Sequence, residues 1–243
     1  MPELPKYYPR NMCAYCGSYG ELQNDHVPPK NLFTKPRPQL ITVKACKNCH
    51  SRTSKDDEYF RIKVCLRNDA YRHPEARKTA DSIFRSLTKV QAIGLRNSFL
   101  ADFRNLNLHT PSGLYVGRRL GYNVDLVRIR RVVERVVRGL YFAESGKPLG
   151  LNNEVRVFTV EELEAKPKDV LDQLKSTILV PITEMQPKII GKDVFLYRHY
   201  IAPENPIISI WVISFYKQVP FFIMTGSSTP IPQSTSVKMP WLT

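Results

Sequence analysis

The spacing of apolar and polar positions predicts short strands at the start of the chain, helices through its middle, and mixed strands and helix toward its end. Residues 21–27 have a strand pattern that Pro28 and Pro29 terminate, because proline lacks an N–H and forces its predecessor to extend. Leu40-Ile-Thr-Val43 reads as a second short strand. A helix of about four turns is predicted to open at Cys46-Lys-Asn-Cys49 and run through Arg61. Residues 74–106 suggest two more helices, with Pro74 suited to a first helical turn, and residues 113–123 read as extended. The clearest period covers residues 124–143. Leu126, Ile129, Val133, Val136 and Leu140 form one apolar stripe, while Arg128, Arg131, Arg135 and Arg138 share the other face. After a boundary at Gly146-Lys-Pro-Leu-Gly150, Val155–Val160 reads as a strand and Glu161–Leu174 as an acidic-edged helix. Val194–Ile201 and Ile207–Phe215 are β-branched and aromatic enough to be strands. Residues 1–12 and 227–243 read as an irregular arm and a loose tail, and no internal repeat is present. The fold class is α+β. It divides into a ββα module over 1–65, a helical region over 66–150, and an α+β region over 151–243.

Charge sharpens that division. The net charge is +14 over 243 residues, and its distribution is uneven. Residues 1–62 hold 10 Lys and Arg against 6 Asp and Glu, residues 63–150 hold 17 against 7, and residues 151–243 hold 9 against 9. The whole excess lies in the first 150 residues. Such an excess predicts a polyanionic partner there, DNA or RNA, because Lys and Arg displace counterions from phosphates. The neutral last third is left for a protein partner or self-association. No run approaches the roughly 20 apolar residues of a membrane span, and the start lacks the layout of a secretory signal, so no membrane partner and a cytoplasmic location are expected.

In a reducing compartment, cysteines act as metal ligands or core residues rather than as disulfides. Four of the five fall into two CxxC pairs, Cys13/Cys16 and Cys46/Cys49. A two-residue spacer lets both sulfurs of a pair reach one ion, and four thiolates satisfy tetrahedral Zn²⁺, so a structural zinc is expected. Cys65 reads as a buried helix residue. Asp25 and His26 end the first strand and His50 directly follows the last cysteine. A hairpin and helix tied by zinc would bring these three together. Asp25 offers a hard oxygen and His50 a nitrogen to a divalent ion, and His26 offers a base near working pH.

The run Cys13-x-x-Cys16, Asp25-His26-Val-Pro-Pro-Lys30, Leu40-Ile-Thr-Val43, Cys46-x-x-Cys49-His50 and Ser54-Lys-Asp-Asp-Glu58 resembles the HNH endonucleases of the ββα-metal type. The likeness covers residues 13–61. It implies a metal-dependent hydrolase of DNA phosphodiesters, with His26 as general base and Asp25 and His50 holding Mg²⁺, Mn²⁺ or another divalent ion. It also implies a setting such as restriction or defence against phage. One departure is the middle Asn of the motif, whose place Ile41 or Thr42 occupies. Lys30, Lys35, Arg37, Lys44 and Lys55 around the site, and the arginine face at Arg128, Arg131, Arg135 and Arg138, are candidate phosphate contacts. The plainer reading of that face is solvated arginines paired at i,i+4. The plainer readings of the chain are a non-catalytic zinc-stapled nucleic-acid-binding module or an adaptor.

Overall fold

The computed structural model describes residues 11–51 and 54–227. The expected arm over residues 1–10 and the tail over 228–243 lie outside them. β1 (Leu22–Val27) pairs antiparallel with β2 (Ile41–Cys46), placing Asp25 opposite Val43 and His26 opposite Thr42. Where a helix is predicted to open at the second cysteine pair, the structure has α1 (Lys47–Ser51) and α2 (Ser54–Cys65). α3 (Asn68–Tyr71) is followed by α4 (Pro74–Leu87), whose N-cap His73 accepts from the Glu75 N–H at 3.3 Å. α5 (Ile93–Ala101) ends earlier than the sequence pattern implies. Residues 103–109 form β3 (Phe103–His109), because they pair along their length with the extended segment β4 (Tyr115–Tyr122).

α6 (Leu126–Ser145) begins where the Asp125 carboxylate caps the N–H groups of Val127 and Arg128, and it ends at left-handed Gly146. β5 (Asn153–Thr159) leads through a Thr159–Glu162 capping box into α7 (Val160–Glu164). The single helix expected to Leu174 is two helices. Pro167 cannot continue α7, and α8 (Lys168–Leu174) starts behind it. A wider helical turn over Lys175–Leu179 joins α8 to α9 (Val180–Glu184). β6 (Lys188–Ile190), β7 (Phe195–Ile201), β8 (Ser209–Phe215) and β9 (Val219–Ser227) follow. They build a five-stranded antiparallel sheet in the order β5-β9-β8-β7-β6. β6, α9 and β9 were not predicted.

The three segments read from the sequence share one apolar core. A single cluster contains Val27 and Phe60 from the first, Ile83, Val133 and Val136 from the second, and Phe195, Trp211, Phe215 and Phe221 from the third. The Phe60 and Phe215 rings meet edge to face at 4.9 Å. α6 presses against the hairpin so closely that a Cβ on Gly139 would stand 2.5 Å from Val27. The β8–β9 turn is anchored from its tip. Tyr216 and Lys217 both have left-handed backbones, yet Tyr216 is fully buried and its hydroxyl donates to the Leu32 carbonyl at 2.7 Å. Cys65 Sγ lies 3.2 Å from the same hydroxyl, buried as expected. Among the described residues no helix is long and apolar enough to cross a membrane.

Candidate metal centre

The first cysteine pair sits on a tight turn. The Gly17 N–H donates to the Cys13 carbonyl at 2.8 Å, and Gly17 takes φ +73°, a left-handed angle that glycine adopts without a Cβ clash. The Ala14 N–H donates to Lys44 O, which lashes that turn to β2 and so to the second pair. The Sγ atoms of Cys13, Cys16, Cys46 and Cys49 all lie within 4.8 Å of one another. Cys16 and Cys46 stand 3.8 Å apart. Two sulfurs each about 2.3 Å from a tetrahedral Zn²⁺ would be about 3.8 Å apart, so the four residues fit that ion. The Cys49 N–H foremost pulls the Cys46 thiol down to about 6, whereas burial pushes Cys13 and Cys49 up. Crowded thiols cannot all ionise unaided; a dication removes that conflict.

Asp25 and His26 are neighbours on β1 and point to opposite faces. Asp25 turns inward with Val27, Val43 and Ala45 and is 5% exposed. Its carboxylate is fully directed. Oδ2 accepts from the Tyr15 hydroxyl at 2.7 Å and from Arg135 Nη1 at 3.2 Å, and Oδ1 accepts from the His26 N–H at 3.0 Å. Oδ1 also faces His50 Nδ1 at 3.3 Å. That Nδ1 is buried and makes no hydrogen bond. Two ligand atoms about 2.1 Å from one ion and roughly 90–110° apart stand roughly 3.0–3.4 Å from each other, so the pair matches two corners of a divalent site. Among the described residues the four cysteines are the only group of three or more metal-ligating side chains, so a second ion here would have two protein ligands.

His26 faces outward, half-buried, opposite Thr42 and on the side that carries exposed Lys44. Burial first, then the nearby charges of Lys30 and Arg37, holds its imidazole below the usual value. Lys30, Lys35, Arg37, Lys44 and Lys55 are all exposed, and Arg37 Nε donates to Lys30 O at 3.1 Å. The Asn31 side chain does not serve the histidine: its amide donates to the Asp57 carbonyl at 3.1 Å and reaches the Glu58 carboxylate. Among the described residues no hydrogen bond orients the His26 ring.

Two of the four arginines on the α6 face are internal, and Arg131 is exposed. Arg135 and Arg138 are 7% and 6% exposed. Arg135 bridges Asp25 and Asp57, joining α6 to both β1 and α2. Arg138 donates to the carbonyls of Leu149, Gly150 and Asn153 and pairs with Glu134. Arg128 bonds Asp56 at 2.7 Å and lies 4.0 Å over the Tyr59 ring. Arg131, at 3.5 Å from Asp56, remains the most exposed of the four. The hairpin and α2 cover much of this side, so Arg128 and Arg135 meet carboxylates and Arg138 meets carbonyls, while Arg131 stays largely in solvent. A sequence signal existed: Gly139 and Phe142 interrupt the arginine face. Tyr15 had none, being a single aromatic between two cysteines.

Asp57 is also mostly shielded from solvent, its side chain 18% exposed. Burial pushes its carboxyl up to about 6, and Arg135 only partly offsets this. Arg135 itself is held above its ordinary value by Asp57 and Asp25, which outweigh its own burial. The two directions agree physically: burial disfavours the charged form of Asp57, while the carboxylates beside Arg135 favour its charged form. Compared with protein-family models, with curated proteins and with solved structures, the chain has no match.

Proposed function

We propose that this protein is a metal-dependent endonuclease of the HNH type that hydrolyses DNA phosphodiester bonds. The observation that carries the reading is the buried, unbonded His50 Nδ1 set 3.3 Å from Asp25 Oδ1, with His26 beside it on the outer face. A Mg²⁺ or Mn²⁺ ion held by Asp25 and His50 would supply a Lewis acid for the scissile phosphate and the leaving 3′ oxygen. His26, with its imidazole held neutral, takes the proton of the attacking water. Tyr15 and Arg135 fix the Asp25 carboxylate in one orientation, and Lys30, Lys35, Arg37, Lys44 and Lys55 hold the flanking backbone. The zinc cluster fixes the hairpin against α1, so that His50 follows Cys49 into place.

A second reading, a zinc-stapled module that binds nucleic acid without cutting it, is favoured by the same carboxylate. Both Asp25 oxygens already have protein partners. Incubation of supercoiled plasmid with the purified protein in Mg²⁺, Mn²⁺ or EDTA, beside His26→Ala, separates the two. Cleavage with metal, absent in EDTA and at least about 10²-fold slower in the variant at unchanged zinc content, is expected. No cutting under any metal, or equal cutting by His26→Ala, would leave the binding module.

A further inference from the structure

Among the described residues the β3–β4 ribbon is a pair of strands with no third neighbour. It roots on the body through Tyr122, whose hydroxyl donates to the Lys63 carbonyl of α2 at 2.9 Å, and through Phe103, which packs edge to face on Phe99 of α5 at 4.8 Å. Beyond that root, residues 104–107 and 118–120 are all exposed. An unsupported ribbon of this kind normally hides one apolar face or does not hold. Here the composition points to a particular covering surface. Residues 103–122 contain Arg104, Arg118 and Arg119 and no Asp or Glu. Among the described residues none of these three arginines forms an ion pair, in contrast to the acid-bound arginines of α6.

Register assigns the faces. Asn107 stands directly opposite Arg118, and Asn105 opposite Leu120, so these four share one face. Arg119 projects from the other face, opposite Leu106, where Leu106 lies over Gly121. We propose that this ribbon enters the major groove of duplex DNA and reads bases with Asn105, Asn107 and Arg118. A two-stranded ribbon fits the B-DNA major groove, roughly 12 Å wide. Seven residues of β3 span about 23 Å, some two-thirds of a helical turn of the duplex. Arg reads guanine and Asn adenine through paired hydrogen bonds, and an apolar side chain such as Leu120 meets the thymine methyl. Arg119 serves the phosphates beside the groove. The root at Lys63 lies six residues beyond Asp57 on α2, about 9 Å along the helix, so the ribbon and the metal centre can address one stretch of duplex.

The inference rests on the reading of the protein as one that acts on DNA, but it predicts binding and not cutting. Its test is therefore run in EDTA, on the zinc-loaded full chain, by fluorescence anisotropy. The probes are a randomised B-DNA duplex, duplexes selected from a random pool by the wild type, and an RNA duplex of the same sequence. The wild type should prefer DNA, because the A-form major groove is too narrow for a ribbon. Arg118→Ala with Asn107→Ala should weaken binding to the selected duplex by about tenfold or more and abolish its preference over random sequence. Arg118→Lys should keep the affinity for random sequence and lose the selectivity, since an ammonium has no paired donors. Unchanged affinity and selectivity in the arginine and asparagine variants overturn the proposal, whether or not the wild type cuts plasmid. A wild type that dimerises in sedimentation and becomes monomeric in Leu106→Ser/Leu120→Ser, with DNA binding intact in the arginine variants, assigns the ribbon to a second copy instead. Loss of plasmid cutting alone, with ribbon-dependent binding retained, overturns the nuclease reading and not this one.

Discussion

Replacing Arg135 with Met removes the only cation that touches both Asp25 and Asp57 among the described residues, while keeping much of the side chain's length and apolar bulk. Asp25 keeps the Tyr15 hydroxyl and the His26 N–H, but Asp57 keeps no cation. Deleting one partner of a buried pair costs about 3–5 kcal/mol, because the remaining charge stays desolvated. For a domain of this size each kcal/mol moves Tm by about 2–4 °C, so the melting point should fall by about 6–20 °C. The loss should also depend on pH. Asp57 already sits near 6 with the guanidinium beside it; without it the carboxyl moves higher still. A folded-state value above that of the unfolded chain means that the folded form binds the extra proton, so stability falls as pH rises through that value. The variant's additional fall therefore develops above about pH 6, and its deficit against the wild type should be largest at pH 8 and shrink toward pH 5. Urea melts at pH 5, 6.5 and 8, with zinc retained and no Mg²⁺ added, measure it. A double variant with Asp57→Asn should recover part of the loss at pH 8. A deficit below about 1 kcal/mol, or one equal at pH 5 and pH 8, would refute the claim that this arginine neutralises buried acids.

Three further outcomes are expected. Cys46→Ser should lower bound zinc, read by elemental analysis, to well below one ion per chain and cause unfolding at a lower temperature, because three thiolates leave one corner of the tetrahedron open. Gly139→Ala should destabilise by about 1–3 kcal/mol in denaturant titration despite the better helix propensity of alanine, since its Cβ would meet Val27 at 2.5 Å; a stabilised variant would contradict the contact between α6 and β1. A chain of residues 1–150 should be insoluble or bind hydrophobic dyes, because it exposes Phe60 where Phe215 and Phe221 now cover it; a well-folded fragment would show that residues 1–150 hold a sufficient core of their own.

The elements with local causes were legible in the sequence. β1 stops at its prolines, α4 starts at Pro74, and α6 runs between an Asp cap and a Gly stop, all written within a few residues. The four cysteines met as their spacing implied. The adjacency of Asp25 to His50 also followed from the short hairpin and the helix start. What failed was everything set by distant packing. β3 has the composition of a helix end and becomes a strand only because β4 pairs with it. The arginines of α6 look solvated until the hairpin and α2 are laid against them. The segment boundaries at 65 and 150 are real changes in charge, yet the apolar core crosses both, because burial is indifferent to where charge lies along the chain.

The buried tyrosine at the β8–β9 turn has a practical consequence. A turn with two successive left-handed residues, as at the first two of the three residues Tyr216–Gln218, normally favours Asn-Gly there, and replacing poorer residues is among the safest ways to stabilise a protein. Here the substitution runs the other way. Tyr216→Asn would relieve about 1 kcal/mol of backbone strain. It would also empty a site filled by a whole phenol ring and free the Leu32 carbonyl that the hydroxyl serves. Large-to-small changes of that kind lose about 3–5 kcal/mol. An engineer guided by turn statistics would pull a plug from the interior, and Leu32, two residues past Lys30, would loosen with it.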